Sequence, residues 1–322
     1  MNHGWRPGVN EIRAERGEGL SGRGPYASLA RAAASALDTR VDSISPCAGG
    51  DINLAFRLDL ADGRAAFLKT RPGATADEYR SEAAGLRWLA EPGGLGVPDP
   101  LAVIDDGPHA GLLIEWVEPG GPLSPAGQEE FGRGLARIHT AGAEAHGVVP
   151  PGAPGRDLRL GEAVLVSPAD PGPETSFAAV YVGRIDALAR QAVDIGNLDQ
   201  EGAAVLGRLS DRMEDLCGPP GPPARLHGDL WSGNVMAGPG GRPFVIDPAA
   251  YGGINEVDLA MLELFASPSP GFYAAYAEVG PLDPGYRERI PLWQVQPLLV
   301  HAVLFGGHYG SAAVDAASLY VA

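Results

Sequence analysis

One stretch constrains this 322-residue chain more than any other: Arg225-Leu-His-Gly-Asp-Leu-Trp-Ser-Gly-Asn-Val235, followed by Phe244-Val-Ile-Asp247. Asp229 and Asn234 stand in D-x-x-x-x-N spacing within a glycine-containing loop, and Asp247 closes a short apolar run 18 residues after Asp229. This is the layout of kinase-type phosphoryl transfer, in which the first Asp accepts a hydroxyl proton while the Asn and the second Asp hold Mg²⁺. Alone, a D-x-x-x-x-N pattern is more often a Gly/Asp-rich hairpin. His227, Gly228, Trp231 and Asp247 together reverse that balance.

The length allows two compact lobes with a sizeable core, and 45% hydrophobic against 20% charged residues fits a soluble globular protein. The 46 glycines and 30 prolines fall mostly between periodic segments, so they read as loop punctuation. A net charge of −16 argues against a nucleic-acid partner and against adhesion to anionic membranes, and suits a cationic or neutral small substrate. Only Cys47 and Cys217 occur, with no C-x-x-C pair, which excludes a disulfide framework or zinc cluster and fits a reducing compartment. No signal-type apolar stretch and no spanning run is visible, so a cytoplasmic protein, and a monomer, is expected.

Residues 1–24 are rich in Gly, Arg and Glu without hydrophobic periodicity, and read as a flexible extension. A helix over Tyr26 to Leu37 and a strand over Val41 to Ile44 precede Gly49-Gly50, which lead into the alternating Leu54, Phe56 and Leu58. Gly49 and Gly50 suit either a tight hairpin or close approach of backbone N–H groups to phosphates. The strand Ala65 to Thr70 carries Lys69, and the helix Asp77 to Ala90 carries Glu82. Either residue alone is an ordinary surface charge. An apolar strand just after a glycine hairpin favours a Lys–Glu pair at the α/β-phosphates of ATP, with Glu82 preferred over Glu78 for its place beside the stripe of Leu86 and Leu89. Leu112 to Val117 forms an apolar strand that exits at Glu118-Pro-Gly-Gly121; Glu115, Trp116 and Val117 either meet a nucleotide base through their backbone or simply end a buried strand.

Beyond this point the pattern becomes helical. Ser124 is placed to cap a helix over Gln128 to Ala141, closed by His139 as a packing residue. The proline-rich segment Gly147 to Pro173 is too long for mere linkage and is expected to cover part of a substrate cleft. Further helices are expected over Ser176–Val193, Asp199–Leu216, Val257–Ala266 and Gln294–Phe305.

With these residues in view, the chain resembles the fructosamine kinase (ketosamine 3-kinase) family, a branch of the aminoglycoside-phosphotransferase and protein-kinase-like fold. The resemblance rests on segments that occur in order: Gly49-Gly-Asp-Ile-Asn-Leu-Ala55, Phe67-Leu-Lys-Thr70, Ser81-Glu-Ala-Ala-Gly-Leu86, Leu226-His-Gly-Asp-Leu-Trp-Ser-Gly-Asn234, Ile246-Asp-Pro-Ala249, Glu256-Val-Asp-Leu-Ala-Met261 and Leu304-Phe-Gly-Gly307. It implies a two-lobed α+β fold: a β-rich nucleotide lobe over 25–118, a helical catalytic and substrate lobe over 119–322, and ATP in the cleft between them. It also implies Lys69 and Glu82 at the phosphates, Glu115, Trp116 and Val117 at the adenine, Asp229 as base, and Asn234 and Asp247 on Mg²⁺. His227 and Trp231 are supporting residues. Asp258 resembles the family's brace for the catalytic loop, although a plain N-terminal helix Asp remains open.

The activity implied is ATP-dependent phosphorylation of the 3-hydroxyl of a small or protein-bound ketosamine. An aminoglycoside or other amino sugar is the alternative acceptor. A non-catalytic pseudokinase is disfavoured because Lys69, Asp229, Asn234 and Asp247 are all present. Two departures from the family pattern stand out. Ile254 and Asn255 replace a family His-Arg close to the expected acceptor site, which leaves the acceptor more open than the ATP half. Asp51 stands where some members carry a cysteine, so no thiol switch is expected there.

Overall fold

The N-terminal part is organised by a five-stranded antiparallel sheet. A computed structural model describes residues 26–47, 53–107, 109–219 and 221–321. The extension, Gly49, Gly50 and Asp51 lie outside them. Helix α1 (Ala27–Leu37) is followed by β1 (Val41–Pro46), β2 (Leu54–Leu60), β3 (Ala65–Thr70), helix α2 (Ala76–Ala90), β4 (Pro100–Asp106) and β5 (His109–Glu115), with sheet order β1-β2-β3-β5-β4. Register places Lys69 of β3 between Ala55 of β2 and Leu112 of β5, in the middle of the sheet.

Alternation gives this sheet two apolar faces. Phe56, Leu58, Leu68 and Ile104 bury against Leu29 and Ala33 of α1, while Leu112 and Ile114 bury against Ala83, Leu86 and Leu89 of α2. Helix α2 starts where Thr75 and Glu78 form a reciprocal capping box, with Asp77 and Glu78 in the first turn where the helix dipole favours them. That start fixes the rotation of the helix and hence the direction in which Glu82 leaves it.

The remainder is mainly helical: α3 (Pro125–Thr140), the hairpin of β6 (Leu158–Leu160) and β7 (Ala163–Leu165), α4 (Phe177–Asp194), α5 (Gln200–Asp211) and α6 (Met213–Leu216). Short strands β8 (Ala224–Leu226), β9 (Val235–Ala237), β10 (Pro243–Val245) and β11 (Tyr251–Gly253) lead into α7 (Glu256–Phe265), α8 (Pro270–Ala277), α9 (Tyr286–Phe305) and α10 (Tyr309–Val321). Ser124 caps α3 by accepting from the Gly127 N–H at 3.1 Å. Buried Glu256 ties α7 to α9 through Arg289 at 2.6 Å and the Trp293 indole at 2.8 Å.

Three differences from the sequence reading have physical reasons. The stretch read as one helix to Leu216 breaks at Arg212, whose non-helical backbone separates α5 from α6. Helix α9 begins eight residues before the expected Gln294 and runs through Pro291 and Pro297, because Leu292, Trp293, Val295 and Leu299 are fully buried and packing outweighs the proline penalty. Strand β5 ends at Glu115, so Trp116 and Val117 belong to the connection that follows. Among the described residues no helix is long and apolar enough to cross a membrane.

Candidate active site

Two short ladders hold the central loop: β8 pairs with β11, and β9 pairs with β10. The loop must turn sharply between them, and Gly228 makes this possible with φ of +81°; a Cβ there would lie 2.1 Å from the Ala249 carbonyl oxygen. Leu230 and Val245 bury in the same cluster as Leu86 and Leu112, which anchors the loop to α2 and the sheet.

The polar contacts determine the state of each ring and carboxylate. His227 Nε2 lies 2.9 Å from the Ile246 carbonyl, which can only accept, so Nε2 carries the proton and Nδ1 accepts from the Asp229 N–H at 3.3 Å. Burial lowers the His227 pKa and keeps this ring neutral. Asp258 accepts from the backbone N–H of His227 at 2.7 Å and of Gly228 at 2.9 Å.

Asp258 is in turn oriented by a relay. The Asn255 amide donates to the Tyr276 hydroxyl at 3.0 Å, that hydroxyl lies 2.7 Å from His139 Nδ1, and His139 Nε2 lies 3.1 Å from Asp258. Burial alone would raise the Asp258 pKa, but the His139 bond and charge outweigh it and the net direction is down. His139 closes α3 as a buried packing residue, as the sequence suggested, and also supports the loop, which the sequence did not reveal. The departure at Ile254 and Asn255 also finds its place here. Asn255 feeds the relay and Ile254 packs on the helical core, and neither lines the cavity described next.

Lys69, Glu82, Asp229, Trp231, Asn234 and Asp247 converge on one cavity of about 990 Å³. The Lys69 ammonium lies 2.7 Å from Glu82 and 3.2 Å from Asp247. The Asn234 amide donates to the Asp229 carbonyl at 2.8 Å and to its carboxylate at 3.1 Å. Asp247 adopts φ of 56°, a left-handed conformation uncommon outside glycine and characteristic of constrained sites.

Burial pushes Asp229 up to about 7, the Asp247 charge adds to it, and the Asn234 bond and Lys69 only partly offset this. Burial likewise pushes Glu82 up to about 7 against the pull of Lys69. For Lys69, burial acts downward, but Asp247 and Glu82 overcome it and the ammonium stays charged. Trp231 is held over Gly233, where a Cβ would meet its ring at 2.2 Å.

Other expected residues are placed elsewhere. Glu115, Trp116 and Val117 do not line this cavity. The Glu115 N–H donates to the Asp99 carbonyl at 2.8 Å, and the Trp116 indole donates to Glu118 at 2.9 Å. Pro154, Gly155 and Asp157 to Gly161, within the proline-rich segment, do line it. So do Phe265, His301 and Tyr309, which no local feature of the sequence singles out, and Phe305 of the Leu304-Phe-Gly-Gly307 segment.

Mg²⁺ takes hard oxygen ligands and is commonly held by one or two carboxylates together with substrate phosphates. The Asp247 carboxylate, 35% exposed, and the Asn234 amide oxygen, left free by the NH₂ contacts to Asp229, provide that donor set.

The model of the family described as fructosamine kinase matches residues 27–321. The chain belongs to the fructosamine kinase family. A protein of Enterococcus faecium named "Probable ketoamine kinase" is 32% identical over 83% of this chain and 91% of its own length. The "Protein-ribulosamine 3-kinase, chloroplastic" of Arabidopsis thaliana is 30% identical over 86% of this chain and 82% of its own. A crystal structure from Thermobifida fusca, solved as a candidate fructosamine-3-kinase, superposes with a TM-score of 0.79 at 38% identity over 90% of this chain and 97% of that one. The fold is accordingly that of the kinase-like phosphotransferases, with a sheet-based N-terminal part and a helical C-terminal part.

Proposed function

We propose that this fructosamine kinase family member transfers the γ-phosphoryl group of ATP to the 3-hydroxyl of a ketosamine, a sugar joined through C1 to an amine. The observation that carries this reading is the meeting of Asp229 and Asn234 with the Lys69–Glu82–Asp247 cluster in one cavity. Asp229 takes the proton of the 3-hydroxyl while that oxygen bonds to the γ-phosphorus and the bond to the bridging oxygen breaks, releasing ADP. A carboxylate near pH 7 is well matched to accepting this proton.

Lys69, oriented by Glu82, lies against the phosphates. Asp247 and Asn234 would hold Mg²⁺, which would neutralise charge on the phosphoryl oxygens. Glu115, Trp116 and Val117, the expected adenine contacts, lie outside the cavity shared by these groups, and the Glu115 N–H is already bonded to Asp99. The transfer is loose, so the protein acts chiefly by positioning, and the Asp258–His139–Tyr276 relay fixes the loop for that purpose.

The product gives the reaction a consequence. A phosphate on C3 gives the product a leaving group. Enolisation by loss of a C1 proton makes a C1=C2 enaminol, the nitrogen lone pair expels phosphate from C3, and water hydrolyses the resulting imine to free the amine, which reverses glycation. The names carried by the Enterococcus and Arabidopsis relatives support this acceptor class. Incubation with Mg·ATP and separate panels of ketosamines and aminoglycosides, read by phosphate mass gain on each acceptor, tests it. Gain on ketosamines is expected; gain on aminoglycosides alone overturns the assignment.

A further inference from the structure

Five large hydrophobic side chains are exposed among the described residues, and only two of these are aromatic: Phe265 at 39% and Phe305 at 49%. Both border the cavity that contains Asp229. Exposed apolar surface of this kind beside a polar site marks a place where something binds. The two rings belong to a continuous row. Trp231 lies 5.9 Å from Phe265, Phe265 lies 5.0 Å from His301, and His301 lies 5.5 Å from Phe305 and 5.0 Å from Tyr309.

Phe265, His301, Phe305 and Tyr309 are carried by the C-terminal ends of α7 and α9 and the start of α10, so their spacing is set by packed helices, and Trp231 joins the row from the loop after Asp229. His301 Nδ1 lies 2.7 Å from the Pro297 carbonyl and must donate to it, which leaves Nε2 as an acceptor. This part of the molecule also contains Leu304-Phe-Gly-Gly307, whose four residues line the same cavity.

The reacting hydroxyl must sit at Asp229, so a sugar occupies the inner end of the row, near Trp231. His301 also lines the small pocket beside Asp229, whereas Phe265, Phe305 and Tyr309 line only the wider cavity, so these three rings extend beyond the reacting hydroxyl. What remains of a ketosamine is the amine substituent attached at C1. We infer that Phe265, His301, Phe305 and Tyr309 receive the N-substituent of the acceptor, so that ketosamines of amines with aromatic or long apolar arms are preferred over those of short charged amines. The inference rests on the ketosamine kinase reading and adds the amine class to it. The His301 Nε2 acceptor suits the N–H of the substituted ammonium, and the rings cover the arm beyond it.

The test uses three acceptors with the same sugar, fructose, joined to benzylamine, 6-aminohexanoate or glycine, with kcat/KM measured for each at saturating Mg·ATP. The benzylamine conjugate is expected to exceed the glycine conjugate by about tenfold or more, with aminohexanoate between them. Phe305→Ala and Phe265→Ala should each bring that ratio to within about threefold, whereas Phe305→Tyr should keep it. The glycine conjugate is an internal control, because a variant that merely misfolds loses both rates together and leaves the ratio where it was. Equal kcat/KM across the three conjugates in the wild-type protein overturns the inference and leaves the kinase reading standing. Absence of phosphorylation on all three overturns the kinase reading and this inference with it.

Discussion

On one side of the cavity Lys69 is held between two carboxylates and Asp258 takes hydrogen bonds from two backbone N–H groups and one ring. On the other side Phe265 and Phe305 stand partly exposed in a row of rings. In the proposed reaction the first side must present charge at fixed positions, so its geometry is secured before substrate arrives, at the cost of crowding like charges such as Asp229 and Asp247. The side proposed to receive the acceptor needs only shape and apolar surface, and can leave rings uncovered without a large penalty. Loss of one group should therefore be severe on the first side and graded on the second.

The largest effect is expected at Asp229. Asp229→Asn should lower kcat by about 10²–10⁴-fold while ATP affinity, measured by nucleotide titration, stays within a few fold. Lys69→Ala comes next. It leaves Glu82 and Asp247 without their shared cation, and should weaken productive ATP binding and reduce stability by about 3 kcal/mol in chemical denaturation. Asp258→Ala strips an acceptor from two backbone N–H groups and His139; a cost of about 2 kcal/mol and a fall in kcat with little change in KM for ATP are expected.

A pH comparison sharpens the contrast further. With its folded pKa raised to about 7, Asp229 binds a proton in the folded state at pH values where the unfolded chain has already released it. Its contribution to stability is therefore full below about pH 4 and is lost as pH rises through about 7. Asparagine does not titrate, so in the nucleotide-free protein the Tm of Asp229→Asn relative to wild type should climb between pH 4 and 7 and then level off. A flat difference would show that the carboxylate is not destabilised by its surroundings. The smallest stability effect is expected across the cavity, where Phe305→Ala should change stability by about 1 kcal/mol or less in the same denaturation assay.

The same contrast explains what the sequence made legible. Lys69 and Glu82 could be paired because a short apolar strand and a capped helix carry them, and the loop of Asp229 and Asn234 is continuous in the chain. The Asn255–Tyr276–His139 relay could not be read, since its members lie on separate elements and each is ordinary in its local context. The aromatic row is assembled from Trp231, Phe265, His301 and Tyr309, which only the packing of α7, α9 and α10 brings together. Helices α8 and α10 were overlooked for a related reason. Their alanine-rich sequences carry little apolar periodicity, and contact with α3, α5 and α9 supplies what the pattern lacks. The Ile254 and Asn255 departure left the acceptor open from its position in the chain; Asn255 bonds to Tyr276 and Ile254 packs on the helical core.

The most direct test of the account is to locate the phosphate. Wild-type protein and Asp229→Asn are incubated with Mg·ATP and a fructosamine, and the product is mapped by phosphorus–proton correlation NMR. The account predicts a phosphate on the 3-hydroxyl from the wild-type protein and essentially none from the variant. Phosphate on another hydroxyl, or undiminished transfer by Asp229→Asn, would contradict it.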